Sequence, residues 1–337
     1  MRILGIETSC DECSAAVVAD GKTVLSNVIA SQIEAHRPYY GVVPEIASRK
    51  HVEAISFVVR SALEEAGLEL DAVHAVAATY RPGLIGSLLV GLSFAKGVAL
   101  SASLPFVGVD HIHAHLYAPH LETEIPFPYL GLIVSGGHTI IARAEEVTRF
   151  EILGTTIDDA CGEAFDKVAK HYDLGFPGGV AVDRLARKGN PAAFRFPKPS
   201  LHKGEHRYDV SYSGLKTAVV HQLDQFRDPR CRESPENIAA SFERVAIDIV
   251  VDRLMLAVRD TGIRRIVAGG GVSANTYLRE RLRSEKGVQS VFPSLSLCTD
   301  NAAMIAGLAW HLLAAGETSP LNLNAQARVP AFRKTYP

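Results

Sequence analysis

The stretch ILGIETS (Ile3–Ser9) returns in the second half of the chain as YLGLIVS (Tyr129–Ser135), with Leu-Gly and the closing Ser in register. The residues after each copy are also alike. After the first, Ser14–Ala19 and Thr23–Ala30 read as two more short strands joined by Asp20-Gly21, a strong type I′ hairpin signal. After the second, Thr139–Ala144 and Phe150–Thr155 take the same places. The first half continues with a helix over about Val43–Ala66, a strand at Ala72–Thr79, a glycine-punctuated helix after Pro82-Gly83, a strand at Phe106–Asp110 and a helix with paired histidines. The second half offers helix Asp159–Tyr172, helix Pro235–Thr261, strand Arg265–Ala268, helix Ser273–Glu285, strand Gln289–Pro293 and helix Asn301–Ala315. A βββαβαβ unit that occurs twice predicts two similar α/β lobes, residues 1–125 and 126–337, facing one another across a ligand-binding cleft. Phe176 to about Pro235, rich in Pro, Gly, Arg and His, reads as an insertion in the second lobe. The tail from Gly316 has little periodicity and is expected to wrap back over the surface, toward the N-terminal lobe.

Bulk properties agree with such a protein. At 337 residues the chain exceeds the size at which one core usually stops growing. Its 47% hydrophobic and 21% charged residues are those of a soluble globular protein, and no apolar run reaches the roughly 18 residues of a membrane span. The start, MRILGIETS, enters a strand without a signal peptide's charged region and cleavage site, and five cysteines are an odd number in so long a chain. A reducing cytoplasm is therefore expected. The net charge of −2 announces no nucleic acid globally. Locally, Arg184, Arg187, Lys188, Arg195, Lys198, Lys203 and Arg207 stand against the single acid Glu205, with His202 and His206 among them. Such a stretch could track polynucleotide phosphates or be a solvated loop.

His111 and His115, in VDHIHAHLYAPH, are four residues apart. At about 3.6 residues per turn, that spacing projects two imidazoles from one helix face, the way a helix presents two nitrogen ligands to a divalent metal. Asp300, in CTDNAAMIAG, could complete a two-His, one-carboxylate site with open positions; surface histidines are the plainer alternative. Three glycine-rich turns look built for phosphates and a nucleotide. Ser135-Gly136-Gly137-His138 can turn backbone N–H groups toward an anion, and Gly178-Gly179 precedes a helix whose Asp183 is placed for a ribose hydroxyl. Gly269-Gly270-Gly271-Val272-Ser273-Ala274-Asn275 joins a buried strand to a helix and would let a flat ring approach, with Asn275 as its hydrogen-bond partner. Neither a GxGxxG after the first strand nor a GxxxxGK[ST] is present, which excludes Rossmann and P-loop readings.

Asp11 and Glu12 are candidate acids near the reacting group. They lie within a CxxC, Cys10–Cys13, that a strand rather than a thioredoxin-like helix follows. Asp158, Asp159, Glu163 and Asp166 read partly as helix N-terminal charges, with Asp166 and Lys167 expected to face the cleft. SYSGLKT (Ser211–Thr217) is a polar turn opening a helix, with an ordinary N-cap as its plain explanation.

Together these segments resemble the tRNA N6-adenosine threonylcarbamoyltransferase family, formerly described as O-sialoglycoprotein endopeptidases. The likeness covers nearly the whole chain and is carried by GIETSCDE (Gly5–Glu12), part of Gly41–His51, PGLIGSLLVG (Pro82–Gly91), the His111/His115 pair and LIVSGGHT (Leu132–Thr139). DDACGEAFDKVAK (Asp158–Lys170), PGG (Pro177–Gly179), SYSGLKT, GGGVSAN (Gly269–Asn275) and CTDNAAMI (Cys298–Ile305) add to it. The resemblance implies an actin-like, Hsp70-like, sugar-kinase-like (ASKHA) two-lobed fold. It implies transfer of a threonylcarbamoyl group from L-threonylcarbamoyladenylate to N6 of adenosine 37 in tRNAs that read codons beginning with adenine. It also implies one metal, iron with zinc as the alternative, on His111, His115 and Asp300, and an adenylate on Ile133, Val134, Ser135, Gly136, Gly137, Asp166, Gly179, Asp183 and Asn275. Expected partners are tRNA, a paralogous protein of the same fold, a P-loop ATPase and an upstream synthase that makes the adenylate. Cys13 and Arg81 depart from the family's usual Thr and Gly. A small-metabolite kinase of the same fold is the alternative, and it would not need a two-His metal site. A metalloprotease would want HExxH, whereas Ile112 follows His111.

Overall fold

The computed structural model describes residues 1–199 and 206–330. They form two compact units, Met1–Phe127 with Glu146–Phe150 and Pro293–Val329, and Pro128–Glu145 with Glu151–Phe292. The helices in chain order are α1 (Ile33–His36), α2 (Pro44–Glu65), α3 (Ile85–Ser101), α4 (His111–Tyr117), α5 (Cys161–His171), α6 (Gly178–Ala186), α7 (Ser213–His221), α8 (Leu223–Phe226), α9 (Pro235–Thr261), α10 (Thr276–Arg283) and α11 (Ala302–Ala314).

In the first unit, β1 (Arg2–Glu7), β2 (Glu12–Ala19), β3 (Thr23–Ser31), β4 (Ala75–Arg81) and β5 (Phe106–Asp110) form one sheet in the order β3-β2-β1-β4-β5. Central β1 is antiparallel to β2 and parallel to β4, so Leu4 lies opposite Val17 on one side and Val76 on the other. The hairpin expected at Asp20-Gly21 forms, with φ of 51° and 72°, both positive as a type I′ turn requires. Ile3, Ala77, Val107 and Val109 pack with α4 and α11 on one face. Leu4, Ile6, Val76 and Ala78 pack with α2 and α3 on the other. Because both faces are covered, these strands are apolar throughout rather than alternating. A Cβ on Gly5 would sit 2.5 Å from the Ala302 carbonyl oxygen and 2.8 Å from the Ala306 nitrogen, so glycine is what lets α11 lie on β1. The chain after α11 runs back along the same unit. Ser319 N–H donates to the Phe106 carbonyl at 2.8 Å and Gln326 N–H to that of Tyr80 at 2.9 Å.

The second unit repeats the pattern. β6 (Tyr129–Val134), β7 (Thr139–Glu146), β8 (Arg149–Thr155), β9 (Arg265–Gly269) and β10 (Gln289–Val291) are ordered β10-β9-β6-β7-β8. β6 is antiparallel to β7 and parallel to β9, with Leu132 opposite Ile141 and Ala268. The two related sequence stretches are thus the central strands of sheets with the same order. Leu130, Leu132 and Val134 join a core with α5, α6, α7 and α9, where Phe165 meets Phe242 edge-on at 5.0 Å. The segment after Phe176 supplies Val182, Leu215 and Val219 to that core. α9 starts where its sequence says it should: the Ser234 hydroxyl caps Asn237 N–H, Pro235 takes the first turn, and Gly262 closes the helix at φ 71°.

Two expected helices begin elsewhere. The one expected from Ser273 opens as a 3-10 turn, Gly271–Ala274, because Asn275 takes an extended ψ of 130° and caps α10. The one expected from Asp159 begins at Cys161, since Asp158 accepts Tyr212 N–H at 2.8 Å and Asp159 pairs with Lys167 and Lys216. No helix among the described residues is long and apolar enough to cross a membrane.

Candidate functional site

β5 delivers the chain into α4 through Asp110, whose carboxylate caps the helix by accepting from Ile112 N–H at 3.0 Å and His113 N–H at 3.2 Å. Arg81, at the end of β4, braces that cap with its Nε 2.9 Å from Asp110 Oδ2, and its guanidinium lies 4.9 Å from the Tyr80 ring. The capped helix carries His111 and His115 on one face, their ring centroids 4.5 Å apart. Asp300, just before α11, reaches them with Oδ1 at 3.1 Å from His115 Nε2 and 3.6 Å from His111 Nε2. These three are the only group of metal-ligating side chains found among the described residues, with ligand atoms within 4.8 Å of one another. Two imidazole nitrogens and a carboxylate oxygen suit a divalent transition metal and leave positions open. His113, between the two, is different. It donates from Nε2 to the Val147 carbonyl at 2.7 Å, and burial lowers it to about 4.

Burial opposes charge on His111, but Asp300 and Glu7 outweigh it and raise that imidazole to about 9. Burial and the neighbouring His111 lower His115, against the pull of Asp300. In the same unit, Asp11 ends the β1–β2 turn and Glu12 opens β2, where Ser31 donates to Glu12 Oε1 at 3.3 Å. Burial first, then Asp11 and Asp300, push the Glu12 carboxyl well above the usual carboxylate range. The same causes push Cys10 up, so its thiol keeps its proton, and all five cysteines are free.

In the second unit, Ile133 and Val134 are fully buried strand residues, so only their main chain could meet a ligand. Ser135 closes a turn with His138, donating N–H to its carbonyl at 2.8 Å and accepting its N–H on Oγ at 3.1 Å. At Gly136, Gly137 and Gly179 a Cβ would meet nothing within 4 Å, leaving the room that close approach of a ligand needs. Asp166 clamps the second glycine turn by accepting Gly178 N–H at 2.9 Å. Asp183 and Asn275 are brought together. Asp183 accepts Thr276 N–H at 2.9 Å and also binds Arg187. Asn275 caps Leu278 N–H at 2.9 Å through Oδ1, while its amide donates to Glu243 at 2.6 Å and to Asp183 at 3.3 Å. Glu243 is 6% exposed, and burial raises it to about 7, with Asp183 adding to the rise against the Asn275 hydrogen bond.

Sequence reasoning missed Glu7 and Glu243. The signal was there in both: a carboxylate inside the apolar strand ILGIE and another inside the apolar helix stretch AASFERVAI. The basic stretch is more neutral than its composition suggests. Lys198 pairs with Asp252 at 2.8 Å and Asp248 at 3.3 Å, and Arg207 pairs with Asp260 at 2.7 Å, all acids of α9. His202, Lys203 and Glu205 lie outside the described residues. The turn at Ser211 is not an ordinary N-cap either. Tyr212 makes no side-chain cap to α7, and Ser211 Oγ binds Asp158 instead.

Comparison with known proteins agrees with this picture. The family model described as tRNA N6-adenosine threonylcarbamoyltransferase matches residues 23–307. The tRNA N6-adenosine threonylcarbamoyltransferase of Treponema denticola is 59% identical over 99% of both chains. That of Borreliella afzelii is 49% identical over 100% of this chain and 96% of its own. Among solved structures, full-length HypF, in its phosphate- and nucleotide-bound form, shares the fold with a TM-score of 0.62 at 16% identity, over 93% of this chain and 46% of its own. With its duplicated ASKHA sheets and these full-length relatives, the chain belongs to the tRNA N6-adenosine threonylcarbamoyltransferase family.

Proposed function

We propose that this protein transfers the threonylcarbamoyl group of L-threonylcarbamoyladenylate to N6 of adenosine 37 in tRNAs reading codons that begin with adenine. The adenine N6 attacks the carbamoyl carbon, the new C–N bond forms, the C–O bond to the AMP phosphate breaks, and one N6 proton leaves. Full-length identity of 59% to a relative named for this activity is the observation that carries the reading.

The converging Nε2 atoms of His111 and His115 and Oδ1 of Asp300 would hold one divalent ion, iron with zinc as the alternative. When bound, such an ion supplies Lewis-acid polarisation of a carbonyl or phosphoryl oxygen. The open backbone at Gly136 and Gly137, in the turn that Ser135 closes, would receive the AMP phosphate, with N–H groups that stabilise its charge on leaving. Ile133 and Val134 would add main-chain contacts, Gly179 and Asp166 would shape the second turn, and Asp183 and Asn275 would orient the adenosine. Asp11 or Glu12, adjacent where β2 begins, would take the N6 proton. A paralogous partner, a P-loop ATPase and an adenylate-making synthase complete the system, in the cytoplasm.

The test is a reconstituted reaction of the chain with these partners, threonine, bicarbonate, ATP and unmodified tRNA. Threonylcarbamoyladenosine formed in step with AMP supports the reading. Phosphoryl transfer from ATP to small metabolites without tRNA would favour the kinase alternative.

A further inference from the structure

The two histidines of the candidate metal centre are held unequally. His111 Nδ1 lies 3.0 Å from Glu7 Oε2, a carboxylate that is fully buried at the end of β1. That same oxygen accepts the Thr79 hydroxyl at 2.6 Å, and Oε1 accepts the backbone N–H of Ser9. The Ser9 hydroxyl is also near, 3.2 Å from His111 Nδ1, but the carboxylate is closer and charged. His115 has no counterpart: its Nδ1 is buried and has no hydrogen-bond partner among the described residues. We propose that Glu7 is a positioning residue that, when the metal is bound, fixes His111 as the Nδ1–H tautomer and leaves its Nε2 lone pair free for the ion, on the side where Asp300 Oδ1 lies.

The inference rests on the metal-centre reading and adds a residue outside the ligand set. A count of donors and acceptors supports it. An ionised Glu7 offers only acceptors, and three donors converge on it: Ser9 N–H, Thr79 O–H and, in this tautomer, His111 Nδ1–H. The opposite tautomer would set a bare Nδ1 against a carboxylate and turn an N–H toward Asp300, where a metal needs a lone pair. A carboxylate behind a metal-bound histidine fixes ring orientation and raises ligand basicity, and its loss typically costs about 10- to 100-fold in metal affinity. The nearly isosteric Glu7→Gln has a single oxygen for three donors, and its amide N–H₂ must face one of them.

The experiment is Zn²⁺ affinity, read by competition with a chromophoric chelator, for wild type, Glu7→Gln and His111→Ala. Glu7→Gln is expected to bind Zn²⁺ about 10- to 100-fold more weakly while its AMP binding stays at the wild-type level. A folded Glu7→Gln that binds Zn²⁺ as tightly as wild type overturns the inference. If Glu7→Gln does not fold, the wild type decides by NMR of ¹⁵N-histidine-labelled, Zn²⁺-loaded protein. The His111 signals, identified by their loss in His111→Ala, should then show the proton on Nδ1, and a proton on Nε2 overturns the inference. A wild type that takes up no Zn²⁺ is a separate outcome, refuting the metal-centre reading and with it the role of Glu7.

Discussion

Glu243 is the residue whose titration should be most visible in the stability of this protein. It is buried on α9 and raised from the usual 4.5 to about 7 by burial, with Asp183 adding to the rise against the hydrogen bond from Asn275. For an acid raised in the folded state, the native protein binds the extra proton between these two values. Stability is therefore full below about 4.5 and is lost as pH rises through about 7. A shift of that size is worth about 3 kcal/mol in total, of which about 2.5 kcal/mol falls between pH 5 and pH 8. Glu243→Gln mimics the protonated acid: its oxygen can accept from Asn275 and its N–H₂ can donate to Asp183. The variant should therefore gain about 2.5 kcal/mol over wild type on going from pH 5 to pH 8. Urea unfolding at the two pH values, followed by far-UV circular dichroism, reads it; the single tryptophan, Trp310, lies in the other unit and would not report on Glu243. If the stability difference between variant and wild type is the same at both pH values, the Asp183–Asn275–Glu243 network does not hold a shared proton, and the reasoning fails.

Single contacts give further expected outcomes. Gly5→Ala forces a methyl group against the backbone of α11 and should cost about 1–3 kcal/mol or more in urea unfolding; a neutral result would mean that α11 does not lie on β1 as described. Asn275→Ala removes the α10 cap and a buried partner of Glu243, so a loss of about 2 kcal/mol is expected, whereas a loss below half of that would remove Asn275 from the centre of the network. Arg81→Ala leaves Asp110 without its cation. The pair is partly exposed, so a cost of about 1 kcal/mol is expected, and an Arg81→Lys variant that recovers less than half of it would show that the planar guanidinium matters.

The duplication was readable because a buried central strand is a continuous apolar run, so β1 and β6 stand out in one sequence without any alignment. Both ends of α9 were readable because Ser234-Pro235 and Gly262 are local signals, chemistry that acts within one turn. The break at Asn275 was not. Its extended backbone is held by Asp183 and Glu243, which are 92 and 32 residues away in sequence. The i, i+4 spacing of His111 and His115 is local and could be read, but Glu7 meets His111 across 104 residues. The pairing within the basic stretch was not readable for the same reason, since the acids beside Lys198 and Arg207 come from α9, 50 or more residues on. The sequence shows the charge of a segment, whereas the fold decides which charges remain for a partner.

The most direct test is transfer itself at the His111/His115/Asp300 centre. Wild type, His111→Ala and Asp300→Ala would each be incubated with the partner proteins, threonine, bicarbonate, ATP and unmodified tRNA, and the nucleosides read by mass spectrometry. Threonylcarbamoyladenosine is expected from the wild type, with a loss of about 100-fold or more in both variants, which corresponds to about 3 kcal/mol of barrier, and with AMP binding retained. Product formation by the variants at the wild-type rate, or no product from a wild type whose partners support the Treponema denticola relative, would contradict the proposed function and its metal centre.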